Sequence, residues 1–282
     1  MATVIYHGTN STGMREPSVA GQFYPGDRDE LIKAIESAFS HELGPGVIPD
    51  LGNAGNLKGA VVPHAGYMFS GPVAAHVYSE LRASGKPEVV VILGPNHTGW
   101  GADVALSTED WVTPMGTVRI HTEAAEKLIE EGIPEDRAAH ISEHSIEVQL
   151  PFLQYIFGDF RFIPICMLDQ SIKTAEMVAE KIRDALSGIS YVVLASSDFS
   201  HYVPMKEAEK RDAMAIECIL SMDHRCLYDT IMKHRITMCG YGPVAACMLS
   251  VSATHGKLLR YATSGHVMSM RDVVGYGAIG FY

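Results

Sequence analysis

The sequence predicts a single α/β domain with a mainly parallel or mixed central sheet and helices on both faces. Three observations carry that prediction. Short β-branched runs alternate along the chain with stretches of helical period. One run, Glu88–Gly94, is apolar without alternation, as a strand covered on both faces must be. No shift of composition divides the 282 residues into two units. In chain order, residues 1–14 read as a loose N-terminal arm and residues 15–282 as the domain. Asp27–Phe39 is an amphipathic helix with Leu31, Ile32, Ile35 and Phe39 on its apolar face and Asp27 as N-cap. Glu42–Asn56, rich in Gly, Pro and Asn, is a loop. Leu57–Pro63 is a short buried strand, and Pro72–Arg82 a helix with Pro in its first turn. After Glu88–Gly94, further strands are predicted at Phe160–Leu168, Tyr191–Ser197, Leu258–Thr263 and Val273–Phe281. Helices are predicted at Thr122–Glu131, Ser171–Leu186, Lys206–Met222 and Val244–Thr254. The last strand carries Gly275, Gly277 and Gly280, which fits either a sheet edge or a strand lying against close backbone.

Charge and cysteine usage narrow the class. With 22 Lys+Arg against 33 Asp+Glu the net charge is −11, which argues against a general nucleic-acid binder, whose phosphate contacts need a basic stripe. No apolar run approaches the length of a membrane span, and Met1–Met14 lacks the apolar core of a signal peptide. Five cysteines without any C-x-x-C do not make a disulfide framework, so the expectation is a cytoplasmic protein with reduced thiols. Cys166, Cys218, Cys226 and Cys247 fall inside strand or helix patterns and read as small apolar residues. The chain has no G-x-S-x-G elbow, no Walker A loop and no G-x-G-x-x-G fingerprint.

Thirteen histidines are the unusual figure, and their positions matter more than their number. In open α/β sheets ligands bind beyond the carboxyl ends of the strands. Strand Leu57–Pro63 runs into His64, Glu88–Gly94 into Asn96-His97, and Tyr191–Ser197 into Asp198-Phe199-Ser200-His201. Three strands therefore deliver imidazoles, one with a carboxylate beside it, to one edge. Neutral imidazoles plus one anionic ligand suit Fe(II), Zn or Cu better than Mg or Ca, and two His with one carboxylate make a facial triad. Cys239, in a loop just before the last predicted helix, is an alternative third ligand. The helix N-terminus beyond it would favour the thiolate, whereas the bland reading of Cys239 is a buried apolar residue. In Glu143-His144-Ser145-Ile146-Glu147, His144 and Glu147 stand three apart on one helix face. Either Glu147 orients His144 for proton transfer, or it caps orphan amides of its own helix. The remaining histidines, among them His7, His76, His121 and His140, read as surface or structural residues.

Arg15-Glu16-Pro17 with Ala20-Gly21 and Phe23-Tyr24, Pro63-His64-Ala65-Gly66-Tyr67, Gly94-Pro95-Asn96-His97, Glu143-His144-Ser145-Ile146-Glu147, Ser196-Ser197-Asp198-Phe199-Ser200-His201 and Cys239-Gly240 occur in the order of the Memo-like family. The sequence resembles that family from about residue 15 to its C-terminus. The resemblance implies a fold similar to the class III extradiol ring-cleaving dioxygenases, with a metal pocket at the strand ends. It implies His64, His97 and Cys239 as ligands of Fe(II) or Cu. Asp198 and His201 would line the same pocket, His201 where those dioxygenases place an acid/base histidine, with His144 and Glu147 close by. Eukaryotic relatives are associated with cell-motility signalling, copper- or iron-dependent redox chemistry and phosphotyrosine-peptide binding. Archaeal and bacterial relatives accompany AMMECR-type and radical-SAM proteins. Two positions depart from these patterns: Cys239 stands where the dioxygenases use a carboxylate, and Phe23 where eukaryotic relatives carry Trp.

Three functions follow as alternatives. The first is a metal-dependent redox protein acting on a small molecule or a protein. The second is a binding or scaffold protein that recognises a peptide or anion in the same pocket. The third is a transferase or hydrolase with Cys239 as nucleophile and His201 as base.

Overall fold

The computed structural model describes residues 13–52 and 56–282. Its first half comprises β1 (Met14–Arg15), α1 (Arg28–Ser40), β2 (Gly59–Val62), α2 (Tyr67–Ser84), β3 (Val89–Pro95), β4 (Val104–Leu106), β5 (Asp110–Thr113), β6 (Gly116–Ile120) and α3 (Thr122–Glu130). Then come α4 (Leu150–Phe157), β7 (Arg161–Met167), α5 (Ile172–Ala185), β8 (Tyr191–Ser196) and β9 (His201–Pro204). The chain closes with α6 (Met205–Leu220), α7 (His224–His234), α8 (Tyr241–Ser250), β10 (Gly256–Thr263), α9 (Ser264–Val267) and β11 (Asp272–Phe281). The strands form one mixed sheet in the order β1-β5-β6-β7-β3-β8-β2-β11-β10, with β4 on β7 and β9 on β11. Strands β6, β7, β3, β8 and β2 are mutually parallel. One helical layer holds α1, α2 and α4, and the other holds α3, α5 and α8 with α6 and α7 beside them. This is the expected single-domain α/β architecture.

Covering the sheet on both sides explains its composition. All seven residues of β3 are buried, in register with β7 (Ile92 opposite Pro164) and β8 (Ile92 opposite Leu194). A strand with no solvent face cannot alternate. Helix α1 starts where expected: Asp27 Oδ1 accepts the amides of Asp29 (2.9 Å) and Glu30 (3.0 Å), and Leu31, Ile35, Ala38 and Phe39 are buried. The α-layer beside it is locked by the Tyr78–Phe152 stack, with centroids 4.6 Å apart.

Several expectations need correction. Helix α2 begins at Tyr67, not Pro72, because Phe23 O satisfies the Tyr67 amide (2.8 Å) and lets the helix start earlier, so Pro72 lies inside it. Strand β11 is paired on both sides and is not an edge. Its glycines admit close neighbours: Phe199 N donates to Gly275 O (2.8 Å), and a Cβ on Gly277 would come 2.5 Å from Phe199 Cε2. Residues 110–120 form the hairpin β5–β6, and β4 pairs antiparallel with β7; the periodicity announces neither, because the strands are short and the hairpin half exposed. Residues 143–146 are not helical. Of the expected arm, residues 1–12, including His7, lie outside the described residues, and Met14 already pairs with Asp110.

The largest correction concerns sulfur. Cys166 and Cys247 are buried free thiols as expected, but Cys218 and Cys226 form a disulfide, with Cα atoms 5.5 Å apart. The residue pattern predicts one helix ending at Met222. The chain instead reverses after Leu220, with Met222 at φ 56°, and starts α7 at His224, which brings the two cysteines together. Among the described residues no helix is long and apolar enough to cross a membrane.

Candidate metal centre

The three adjacent strands β3, β8 and β2 bring the site together at their carboxyl ends. Val62 pairs with Ser196, so His64, two residues beyond β2, lies beside the end of β8. His64 is 2% exposed. Its amide donates to Asp198 Oδ1 (2.9 Å), and its Nδ1 lies 2.9 Å from Ser196 Oγ. The direction of that second bond follows from counting protons. Ser196 Oγ gives its one hydrogen to Ser145 O (2.6 Å) and accepts from Gln149 Nε2 (2.8 Å). It therefore accepts from His64 Nδ1 as well, and the His64 lone pair sits on Nε2.

His97 reaches the same result by another route. Its Nδ1 lies 2.9 Å from Glu143 Oε1, and its amide donates to Glu143 Oε2 (2.6 Å). Glu143 Oε1 also accepts the amides of His144 (3.0 Å) and Ser145 (2.9 Å). Burial alone would raise this carboxyl, but the bond from His97 and the neighbouring imidazoles outweigh it and lower it to about 2. A carboxylate only accepts, so His97 Nδ1 carries the proton and Nε2 the lone pair. The same two amide bonds keep residues 143–146 in a turn rather than a helix. This turn fits because residue 94 is glycine: a Cβ there would collide with Ser145 Oγ and come 2.7 Å from Ile146 Cγ1.

Cys239 completes the group. Its Sγ is 3.2 Å from His64 Nε2 and accepts the Asp198 amide at 3.3 Å. Its loop is gripped by Gln170, whose Nε2 donates to Cys239 O (2.8 Å) and whose Oε1 accepts the Gly242 amide (3.0 Å). His64, His97 and Cys239 each place a ligand atom within 4.8 Å of the other two. Two imidazoles and a sulfur converging on one point could hold a transition-metal ion. His97, Glu143 and His144 form a second such group. There the carboxylate already accepts four N–H donors, so it acts as the orienting partner of His97, as carboxylates do behind ligating histidines.

Electrostatics prepares the His64 imidazole and not the Cys239 thiol. Burial, reinforced by His144 and His97, holds His64 well below its ordinary value and keeps it neutral. Burial and the Asp198 charge push the Cys239 thiol up. The expected lowering by the following helix is thus overridden: α8 starts two residues later, and desolvation outweighs its dipole. Without a cation, Cys239 is a thiol facing the His64 lone pair, which disfavours the reading of Cys239 as an activated nucleophile.

The other expected residues fall around this centre. Asp198 is 3% exposed, with Oδ2 4.0 Å from His64 Nε2, and burial raises it to about 6. His144 stacks on His97 (centroids 4.7 Å) and meets the His64 ring edge-on at 5.3 Å, with Phe23 covering it at 4.7 Å. His201 is outside this three-ring cluster. Thr237 O fixes its Nδ1 as donor (2.8 Å), leaving Nε2 as the basic nitrogen. The expected pairing of Glu147 with His144 is not formed, and Glu147 does not cap its own helix. Its fully buried carboxylate pairs with Arg15 Nη1 (2.7 Å) and accepts from Ser18 N, Val19 N and Tyr24 OH. Arg15 also donates to His140 O and Glu143 O and lies 4.0 Å over the Trp111 ring. Arg15 and Glu147 thus clamp residues 15–24 to the turn that carries Glu143.

Sequence reasoning assigned no role to Ser196, Gln149 or Gln170, and quoted Glu143 without one. Their roles depend on contacts across the chain, and no local pattern marks them. A separate cleft of 540 Å³, lined by Phe23, Tyr24, Tyr67, Met68, Glu30 and His41, lies on the other side of Phe23, whose ring packs on His144.

Comparison with known proteins supplies the family. The model of the Memo-like protein family matches residues 15–280. A MEMO1 family protein of Methanopyrus kandleri is 50% identical over 278 residues, covering 95% of this chain and 98% of that one. One from Methanothermobacter thermautotrophicus is 47% identical, covering 93% and 98%. One from Thermotoga neapolitana is 45% identical, also covering 93% and 98%. Among solved structures, an uncharacterized protein from Escherichia coli K12 superposes with a TM-score of 0.54 at 10% identity, covering 80% of this chain and 100% of that one, which speaks to the fold alone. With the family model spanning nearly its whole length and relatives close to half identical, this chain belongs to the Memo-like family.

Proposed function

We propose that this protein binds a transition-metal ion, Fe(II) or Cu, through His64 Nε2, His97 Nε2 and Cys239 Sγ, and uses it for redox or oxygen-linked chemistry on a small molecule or a protein segment. The observation that carries this reading is the pinning of both Nδ1 protons, by Ser196 and by Glu143, so that two lone pairs and one sulfur face a common point. A redox-active ion there would supply electron transfer to or from a bound substrate. The chain's own groups would do the rest: Asp198 and His201 Nε2 exchange protons beside the ion, and His144 with Phe23 walls one side. The surrounding apolar burial keeps water away from His64 and Asp198.

Anaerobic titration with Fe(II) and Cu(I) tests the reading. The expected result is one ion per chain, with binding lost in His64→Ala and His97→Ala; negligible uptake by the native protein sinks it. A second reading is recognition of a peptide or anion in the same pocket without chemistry, with the cleft behind Phe23 offering further room for a peptide. Pulldowns with AMMECR-type and radical-SAM proteins address it: capture that survives His64→Ala and His97→Ala, with no turnover, supports recognition alone. We infer a cytoplasmic location from the cysteine pattern, an odd number at irregular spacing that makes no disulfide framework.

A further inference from the structure

The Cys218–Cys226 disulfide closes the outer end of a helical hairpin whose open ends are both parts of the site. Helix α6 starts directly after His201–Pro204, and α7 is capped by Arg235 (φ 52°), two residues before Thr237, the residue that holds His201. The bridge joins the last turn of α6 to the first turn of α7, where Asp223 Oδ1 caps the Cys226 amide at 2.9 Å. Two residues further along α7, Tyr228 OH donates to Gln170 O at 2.6 Å, and its ring meets Tyr241 edge-on at 5.5 Å. The side chain of the same Gln170 holds Cys239 O and the Gly242 amide. The backbone of α7 thus links the disulfide to Tyr228, from which hydrogen bonds run through Gln170 to the loop of Cys239.

We propose that this disulfide is a redox-sensitive brace for the Cys239 loop: reduction frees the start of α7, relaxes the Tyr228–Gln170 contact and lets residues 237–242 open more readily. Its consequence for the ion, weaker retention when the brace is reduced, rests on the metal-binding reading above. In a reducing compartment a persistent disulfide is uncommon outside hyperthermophiles, whose intracellular proteins are rich in them, and elsewhere those that form serve mostly in redox sensing or catalysis. Access and chemistry fit. Cys218 is 4% exposed whereas Cys226 is only partly buried, so one sulfur can be reached. The thiolate of a dithiol reductant attacks Cys226 Sγ, the S–S bond breaks, and Cys218 leaves as a thiolate that takes up a proton. Thr230 Oγ1, 3.4 Å from Cys218 Sγ, can hydrogen-bond that leaving group. The second thiol of the reductant then displaces Cys226. The balance is one protein disulfide and one dithiol converted to two protein thiols and the oxidised reductant.

The experiment uses the full chain, free of metal, as oxidised wild type, wild type treated with dithiothreitol, the C218S/C226S double variant and Tyr228→Phe, which cuts the line without touching sulfur. Thiol counting on unreduced, denatured wild type should give three free thiols, those of Cys166, Cys239 and Cys247; five would overturn the proposal. Hydrogen exchange should then be about fivefold or more faster at residues 237–242 in the other three forms, with β3 unchanged. Equal exchange in all four overturns the proposal. Fe(II) and Cu(I) titration of the same samples separates the two claims. An about tenfold weaker ion in C218S/C226S extends the brace to the metal. No binding by any form, with exchange still altered, removes the metal reading and leaves the brace standing.

Discussion

An imidazole can ligate through either nitrogen, and in this protein Ser196 and Glu143 decide which one His64 and His97 offer. Glu143→Gln should weaken ion binding by about 10- to 100-fold, the usual cost of losing a carboxylate behind a ligating histidine. Nitrogen-15 NMR should report mixed His97 tautomers in that variant and a single Nδ1–H form in the native protein. Cys239 adds a pH dependence. Because burial and Asp198 push its thiol up, ion uptake at neutral pH must expel its proton, so affinity should rise about tenfold per pH unit. Affinity independent of pH between 6 and 8 would mean that sulfur is not a ligand. Glu143 gives a separate signal in the metal-free protein. Its folded value of about 2 lies below the ordinary 4.5, so its contribution to stability is complete above 4.5 and fades as pH falls towards 2. Acid denaturation of Glu143→Gln, compared with the native protein, should lack that component.

At the scale of elements, the site depends on how closely a turn, a clamp and a hairpin are held. The 143–146 turn lies against Gly94, and Gly94→Ala would drive Ser145 and Ile146 outward, taking Glu143 and His144 with them. That variant should keep its helical circular dichroism while losing most of its ion affinity. The Arg15–Glu147 pair is buried on both sides, at 3% and 0% exposure. Removing one partner leaves an unpaired interior charge, so Glu147→Gln should lower stability by about 3–5 kcal/mol in urea unfolding. This clamp also explains why Arg15-Glu16-Pro17, distant in sequence from any predicted ligand, lies close to the site: Arg15 donates to the carbonyl of Glu143. The α6–α7 hairpin was the element least visible beforehand. Its reversal at Met222 carries neither Gly nor Pro, and its one signal in the chain is the single N-cap residue Asp223.

Over the whole molecule, the architecture was legible because its core strands have only one way to be buried. The unbroken runs of β3, β7 and β8 require cover on both faces, and the strand-end positions of His64, His97 and His201 then follow from parallel topology. What was not legible depends on contacts between distant segments. Ser196 gains its role only because Val62 pairs beside it, Gln170 because Cys239 folds back onto it, and Glu147 because residues 15–24 wrap over it. The thiol of Cys239 was misjudged for the same reason: its adjacency to a helix is visible in the chain, but its burial beside Asp198 is not. The proposed ligand set is the claim on which the functional account rests, and X-ray absorption at the metal edge of the protein, reconstituted anaerobically, tests it most directly. The account predicts one sulfur scatterer and two imidazoles, with the sulfur lost in Cys239→Ser. A first shell of oxygen and nitrogen only, unchanged in Cys239→Ser, would contradict it.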